Sequence, residues 1–138
     1  MVIDVLVYDK YYDIPLRGLL QTDSSTLAFD ACILDDEPAD IANRRGIYSR
    51  VRGFECNEPL RLVLEEKNVI FNKWREAFDK GIVDESTHTI YVDPRYQELA
   101  VQADELFNRL GAPIIEARGL MRVECGRFVF ECLDESSS

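Results

Sequence analysis

The sequence has one histidine, few glycines and none of the residue spacings that common catalytic or nucleotide-binding motifs require. His88 lies in a polar Ser/Thr segment, and no GxSxG element supplies a serine nucleophile for it. Neither GxGxxG nor the GxxxxGK phosphate-binding loop occurs among the seven glycines. We therefore expect no catalytic role for His88, no cofactor, and no nucleotide chemistry through these motifs.

Membrane and export signals are also missing from the sequence. No run of about 18 apolar residues is present, and the first residues, MVIDVLVYDK, lack the basic start and cleavage site of a signal peptide. We expect a cytoplasmic protein. Because no export signal is present and a chain of this size folds without disulfides, the four cysteines are expected to be reduced thiols. Neither CxxC nor paired Cys/His spacing occurs, which argues against a zinc site. The cysteines are Cys32, Cys56, Cys125 and Cys132.

Acidic residues dominate the charge of the chain. There are 26 Asp and Glu against 16 Lys and Arg, which gives a net charge of −10 and a pI near 4.5. Such a charge repels nucleic acid and anionic lipid, so neither is an expected partner, whereas a basic protein is. The 138 residues, 46% of them hydrophobic, predict a single globular domain over residues 1–134 with a frayed tail at 135–138.

Alternating apolar and polar residues predict β-strands at both ends of the chain. Four strands are expected in the first part, separated by a break at residues 12–18 and a polar turn at 22–25, and they form an antiparallel meander. A C-terminal β-hairpin is expected to turn at Gly126-Arg127. The predicted strands cover residues 2–8, 18–21, 26–34, 46–52, 115–124 and 128–133.

Helical periodicity occupies the middle of the chain. Asn57 before Glu58-Pro59 predicts a capped helix that runs to about Lys80, and Asp93-Pro94 starts a second helix. The apolar stripe of the first helix includes Trp74, which is expected in the core. This order predicts an α+β fold in which two amphipathic helices pack on one face of the antiparallel sheet.

Three segments resemble a group of small uncharacterised bacterial proteins over about the first two thirds of the chain. They are Tyr11–Gly18 (YYDIPLRG), Phe71–Gly81 (FNKWREAFDKG) and Ser86-Thr87-His88. Ile14 stands where that group has a glycine. The resemblance implies the fold and assigns no functional residue, because that group has no established activity.

The candidate partner-binding residues are two tyrosines and two acidic turns. Tyr11 and Tyr12 flank a proline-containing turn and are candidates for an exposed anchor, since tyrosine is favoured at interfaces. Asp23 and the loop Asp35-Asp36-Glu37 are candidates for an acidic rim, because residues 1–43 carry nine acids and two bases. The same loop lacks the spacing of a calcium loop, so a metal site is the weaker interpretation.

Two hypotheses for function remain open on the sequence. The leading one is a non-enzymatic acidic protein that binds a basic partner protein, of the interaction or toxin-neutralising type. The alternative is a small enzyme or ligand-binding domain with a pocket between sheet and helices, where Arg50 and Arg52 could clamp a phosphate or carboxylate.

Overall fold

The computed structural model describes residues 2–41, 43–81 and 93–136, which form two compact units. One unit consists of Met1–Cys56 with Gly111–Ser138, and the other of Asn57–Leu110. His88 lies outside the described residues. The first unit contains β1 (Val2–Tyr12), β2 (Ile14–Gln21), β3 (Thr26–Ile33), β4 (Ile47–Glu55), β5 (Ile115–Glu124) and β6 (Arg127–Ser136), and the second contains α1 (Glu58–Asp79) and α2 (Pro94–Asn108).

The six strands form a closed antiparallel barrel in the order β1 to β6. The expected open meander of about four strands with a separate C-terminal hairpin is therefore wrong. Two ladders that the expected meander lacks close the barrel. β4 pairs with β5, from Ile47–Met121 to Gly53–Ile115, and β6 pairs with β1. Both join segments that are far apart in sequence, and local alternation carries no information about such pairing.

The barrel interior is filled by apolar side chains from all six strands. These side chains alternate with outward-facing residues, so the predicted pattern of apolar positions follows the interior even though the sheet is closed rather than open. Each of the following is at most 7% exposed: Ile3, Val5, Ile14, Leu20, Leu27, Phe29, Val51, Ala117, Met121 and Phe130.

Two glycines allow neighbouring strands to approach closely where the ladders shift register. A Cβ at Gly18 would lie 2.1 Å from the carbonyl oxygen of Val7, and one at Gly119 would lie 2.0 Å from that of Glu131. Register shifts occur beside both positions. Bulges with glycine bend strands sharply, which helps the sheet to curl into a barrel.

The two hairpin turns near the ends of the barrel unit differ from their predicted positions. The predicted break at residues 12–18 is confined to Asp13, at a φ of 63°, and β2 already begins at Ile14. The C-terminal hairpin turns at Cys125-Gly126, one residue earlier than expected, because Glu124 pairs with Arg127. β6 continues to Ser136, beyond the predicted end of that strand.

Both predicted helices are confirmed, with the predicted caps. The side chain of Asn57 accepts a hydrogen bond from the Leu60 amide at 3.0 Å, and that of Asp93 accepts one from the Tyr96 amide at 2.9 Å. These caps satisfy amide groups that have no partner within the first turn of a helix. Neither helix in the described ranges has a stretch long and apolar enough to cross a membrane.

The apolar stripe of α1 is buried only over its first half. Leu60 and Leu64 are fully buried, and Lys67 interrupts the stripe with its ammonium 4.8 Å from the centre of the Tyr96 ring. Trp74 is half-buried. The expectation that this tryptophan lies in the core is therefore wrong, because apolar periodicity shows which face of a helix is apolar but not how far along the helix it is covered.

Candidate functional site

A cluster of three aromatic rings lies where the ladder between β1 and β6 stops. That ladder runs from Val2–Glu131 to Asp4–Val129. Beyond it, Phe128 meets Tyr8 and Tyr11 with ring centroids 5.7 and 5.9 Å apart, and the two tyrosines are 5.8 Å from each other. We call these three residues the aromatic seam. Beyond the last backbone pair of β1 and β6, the two strands are therefore in contact through these aromatic side chains.

The local strand structure explains how the seam is held. Phe128 packs against the barrel core and receives Tyr8 edge to face, at an interplanar angle of 88°. Register shifts in β1 on both sides of Tyr8 rotate the strand at this point. Asp9, in the second shift, is tied to β2 by two hydrogen bonds from Arg17, of 2.9 and 2.6 Å. This ion pair fixes β1 directly beside the seam.

The tyrosines of this region are exposed. The exposed fraction is 40% for Tyr8, 55% for Tyr11 and 72% for the neighbouring Tyr12. Large aromatic side chains held by a rigid strand lose little conformational entropy on binding, and clustered exposed apolar residues mark interaction surfaces. The surface can therefore serve as an anchor for a partner.

Antiparallel strand order shows which of the candidate residues share an end of the barrel. The connections β1–β2, β3–β4 and β5–β6 all lie at one end, and the β2–β3 turn lies at the other. Tyr11 and Tyr12 thus share an end with the loop at residues 35–37. Asp23 sits in the β2–β3 turn, so the structure separates it from the other candidates.

The β3–β4 loop, which carries the predicted acidic rim, folds against the outer face of the barrel. Ile41 of this loop is buried together with Tyr48 and Leu120. Asp36 accepts a hydrogen bond from Arg118 at 3.2 Å, so its charge is compensated. Asp35, Asp36 and Glu37 are all exposed, and of the three only Asp36 has an arginine partner among the ion pairs of the described residues.

The end of the same loop is attached to β6 by a charged network. Glu131 accepts hydrogen bonds from Arg122, at 2.8 Å, and from Arg44 of the loop. Arg122 also donates to Glu124 at 2.8 Å. The hydrogen bond from Arg122, followed by that from Arg44, lowers the pKa of Glu131 below its ordinary value.

The two arginines of the alternative hypothesis do not form a clamp. Arg52 donates to both carboxylate oxygens of Asp30, at 2.8 and 2.5 Å, and this hydrogen bonding is the main cause of its raised pKa. Arg50 pairs only at 3.8 Å with Glu116, and its Nε is the one buried side-chain polar atom in the described part of the chain without a hydrogen-bond partner. Arg52 is thus already paired with Asp30 of the neighbouring strand β3.

Sequence reasoning missed Tyr8 and Phe128 as members of the candidate site. Alternation along β1 marks Tyr8 as an outward residue, but nothing in the sequence shows that the first and last strands meet. No group of three or more His, Cys, Asp or Glu side chains within residues 2–41, 43–81 and 93–136 is placed to hold a metal ion. None of the four cysteines forms a disulfide.

The chain was also compared with known proteins. No protein-family model, curated protein or solved structure matches it.

Proposed function

We propose that this protein is a non-enzymatic binding protein that holds a partner protein of basic character through the aromatic seam and the adjacent Tyr12. The observation that carries the proposal is the group of exposed tyrosines on a strand fixed by a buried ion pair. Hot spots of protein interfaces are rich in tyrosine and sit on rigid supports. The net charge of −10 favours a basic partner over an acidic one.

Tyr12 and the acidic rim have different tasks in this proposal. Tyr12, at 72% exposure, inserts into the partner and slows dissociation. Asp35 and Glu37, exposed at the same end of the barrel, speed encounter with a basic surface at low salt. Asp36 contributes less, because Arg118 already compensates its charge.

Site-specific photo-crosslinking in the native host tests the location of the surface. A photoreactive phenylalanine analogue replaces Tyr12 in one strain and Asp23, at the opposite end of the barrel, in the control strain. We expect one protein of high pI to be crosslinked from position 12 and not from position 23. Equal crosslinking from both positions, or from neither, would contradict the proposal.

Binding kinetics with the recovered protein then separate the two contributions. We expect Tyr12→Ala to raise the dissociation rate by about 10-fold or more, as loss of a hot-spot residue does. Asp35→Lys should lower the association rate at low salt, and Asp23→Lys, which makes the same charge change at the other end of the barrel, serves as the matched control. An association rate that responds equally to both changes would refute the role of the rim.

The ligand-binding alternative makes the opposite prediction. If a small carboxylate or phosphate compound raises the melting temperature of the isolated protein, and Arg50→Ala abolishes that shift while no partner protein is crosslinked, the protein-binding proposal fails. Arg50→Lys is the matched variant, since it keeps the charge but loses the bidentate geometry.

A further inference from the structure

The tip of the β1–β2 hairpin carries an exposed aromatic ring and an exposed carboxylate on consecutive residues. Tyr12 is 72% exposed. Asp13, the single residue between the paired positions Tyr12 and Ile14, is exposed as well. Within the described residues, no side-chain hydrogen bond or ion pair involves Asp13. The hairpin tip therefore presents a ring next to a negative charge that no other described side chain compensates.

The residues that follow the tip hold it in place. Ile14 is completely buried and belongs to the core of the barrel, and Pro15 is also fully buried. The ring of Pro15 restricts the backbone further, and the ion pair of Asp9 with Arg17 joins the two strands below the tip. A side chain on such a support loses less conformational entropy when it binds a partner. The tip is therefore preorganised for binding.

The same combination of groups already binds an arginine elsewhere in the barrel unit. Arg52 donates to both carboxylate oxygens of Asp30, at 2.8 and 2.5 Å, and its guanidinium carbon lies 5.5 Å from the centre of the Phe54 ring. A guanidinium can make both contacts at once, because its face lies over a ring while its N–H groups donate within its plane. In this chain, an aromatic ring and an aspartate thus bind one arginine together.

The turn at the other end of the barrel has the carboxylate but not the ring. Asp23 is exposed, and its neighbours are Thr22, Ser24 and Ser25. An exposed carboxylate alone attracts any cation weakly. A ring beside the carboxylate adds a face on which a guanidinium can stack. Asp23 is therefore a comparison site for Asp13 within the same molecule.

We propose that Tyr12 and Asp13 bind an arginine side chain of the partner, with its guanidinium stacked on the tyrosine ring and hydrogen bonded to the aspartate carboxylate. This inference rests on the proposed function, because it names the group of the basic partner that the hairpin tip holds. Lysine fits less well, since its compact ammonium is strongly hydrated and has no flat face to stack. The net charge of −10 attracts either cation, whereas the ring and carboxylate together select arginine.

An NMR titration of the full chain with two short peptides tests this selectivity. The probes are the capped tripeptides acetyl-GRG-amide and acetyl-GKG-amide, which carry the same charge. The signals of the Tyr12 ring and of the Asp13 amide are followed at low salt, together with the Asp23 amide. We expect the arginine peptide to bind at the tip about 2- to 5-fold more tightly than the lysine peptide. The shifts at Asp23 should be smaller and equal for the two peptides.

Three single substitutions separate the ring from the carboxylate. Asp13→Asn removes the charge and keeps the turn, because asparagine tolerates the positive φ of 63° at this position. Tyr12→Leu removes the ring and keeps an apolar side chain. We expect each of these two variants to lose the preference for the arginine peptide. Asp23→Asn removes the same charge from the other turn and should leave the preference unchanged, and the amide spectrum verifies that all three variants are folded.

Two results would overturn this inference. One is equal binding of the arginine and lysine peptides at the tip, and the other is a preference that Asp13→Asn and Asp23→Asn reduce to the same extent. Photo-crosslinking from position 12 reports separately on the proposed function. If a basic protein is crosslinked while the two peptides bind alike, only the arginine site is refuted. If the arginine preference is found but no protein is crosslinked, the arginine site stands and the proposed function fails.

Discussion

Asp9 and Arg17 form a bidentate ion pair between β1 and β2, with only 2% of the aspartate side chain and 11% of the arginine side chain exposed. Removing Asp9 breaks both of these hydrogen bonds within a largely buried ion pair. We expect Asp9→Ala to lower the free energy of unfolding by about 3–5 kcal/mol. Urea denaturation at neutral pH measures this loss.

The helical unit offers a matched control for this prediction. Arg95 binds Glu66 through the same two nitrogens, at 2.5 and 2.7 Å, but both side chains are more than two-fifths exposed. Glu66→Ala should therefore lower the free energy of unfolding much less than Asp9→Ala does. Equal losses for the two variants would mean that burial does not set the strength of the Asp9 pair.

Some of this fold could be predicted from the sequence because its signals are local. The caps at Asn57 and Asp93, each followed within two residues by proline, fixed the starts of both helices. Alternation predicted six strands near their observed places, although β1 and β2 extend into the segment that was predicted as a break. Closure of the barrel could not be predicted, because the pairing of Val2 with Glu131 depends on which distant edges meet.

The candidate site shows the same limit. Tyr11 and Tyr12 could be chosen from the turn beside them, but Phe128 entered only through the contact between the first and last strands. Asp36 was predicted to belong to an exposed acidic rim, and the structure gives it a partner, Arg118, that lies 82 residues away in sequence. The sequence shows which side chains are aromatic or acidic. It does not show that a residue far away along the chain compensates the charge of Asp36.

The lowered pKa of Glu131 predicts a pH dependence for the attachment of the β3–β4 loop. Because the folded-state pKa lies below the ordinary value near 4.5, the ionised form stabilises the fold at neutral pH. This contribution is lost as the pH falls from the ordinary value through the lowered one. Glu131→Gln should be less stable than the native chain at neutral pH, and the difference should vanish in acid.

Unfolding free energies measured from neutral to acidic pH provide the check. Glu55→Gln, at an exposed position at the end of β4, controls for the loss of one negative charge. A gap between the native chain and Glu131→Gln that stays constant into strong acid would contradict the assignment of this network.

The turn at Cys125-Gly126 can be improved. Both residues have positive φ, of 52° and 77°, and two residues join Glu124 to Arg127, as in a type I′ hairpin turn. A cysteine is strained in this conformation, whereas asparagine adopts it readily. We expect Cys125→Asn to raise the free energy of unfolding by about 0.5–1 kcal/mol.

Gly126→Ala is the opposite change at the adjacent position, and we expect it to cost about 1 kcal/mol. Thermal and urea unfolding of both variants under reducing conditions measure the two effects. If Cys125→Asn is destabilising, the turn does not have the conformation described.

Phe128 should contribute to the stability of the barrel, and Tyr12 should not. Phe128 packs on the core and contacts the rings of Tyr8 and Tyr11 beyond the end of the β1–β6 ladder. We expect Phe128→Ala to cost about 2–4 kcal/mol. Tyr12→Ala, at 72% exposure, should cost less than about 0.5 kcal/mol.

Hydrogen exchange localises the effect: with Phe128→Ala, the amides of Val2–Asp4 should lose protection before those of the β3–β4 ladder. Uniform loss of protection in all strands would show that the rings do not hold this seam.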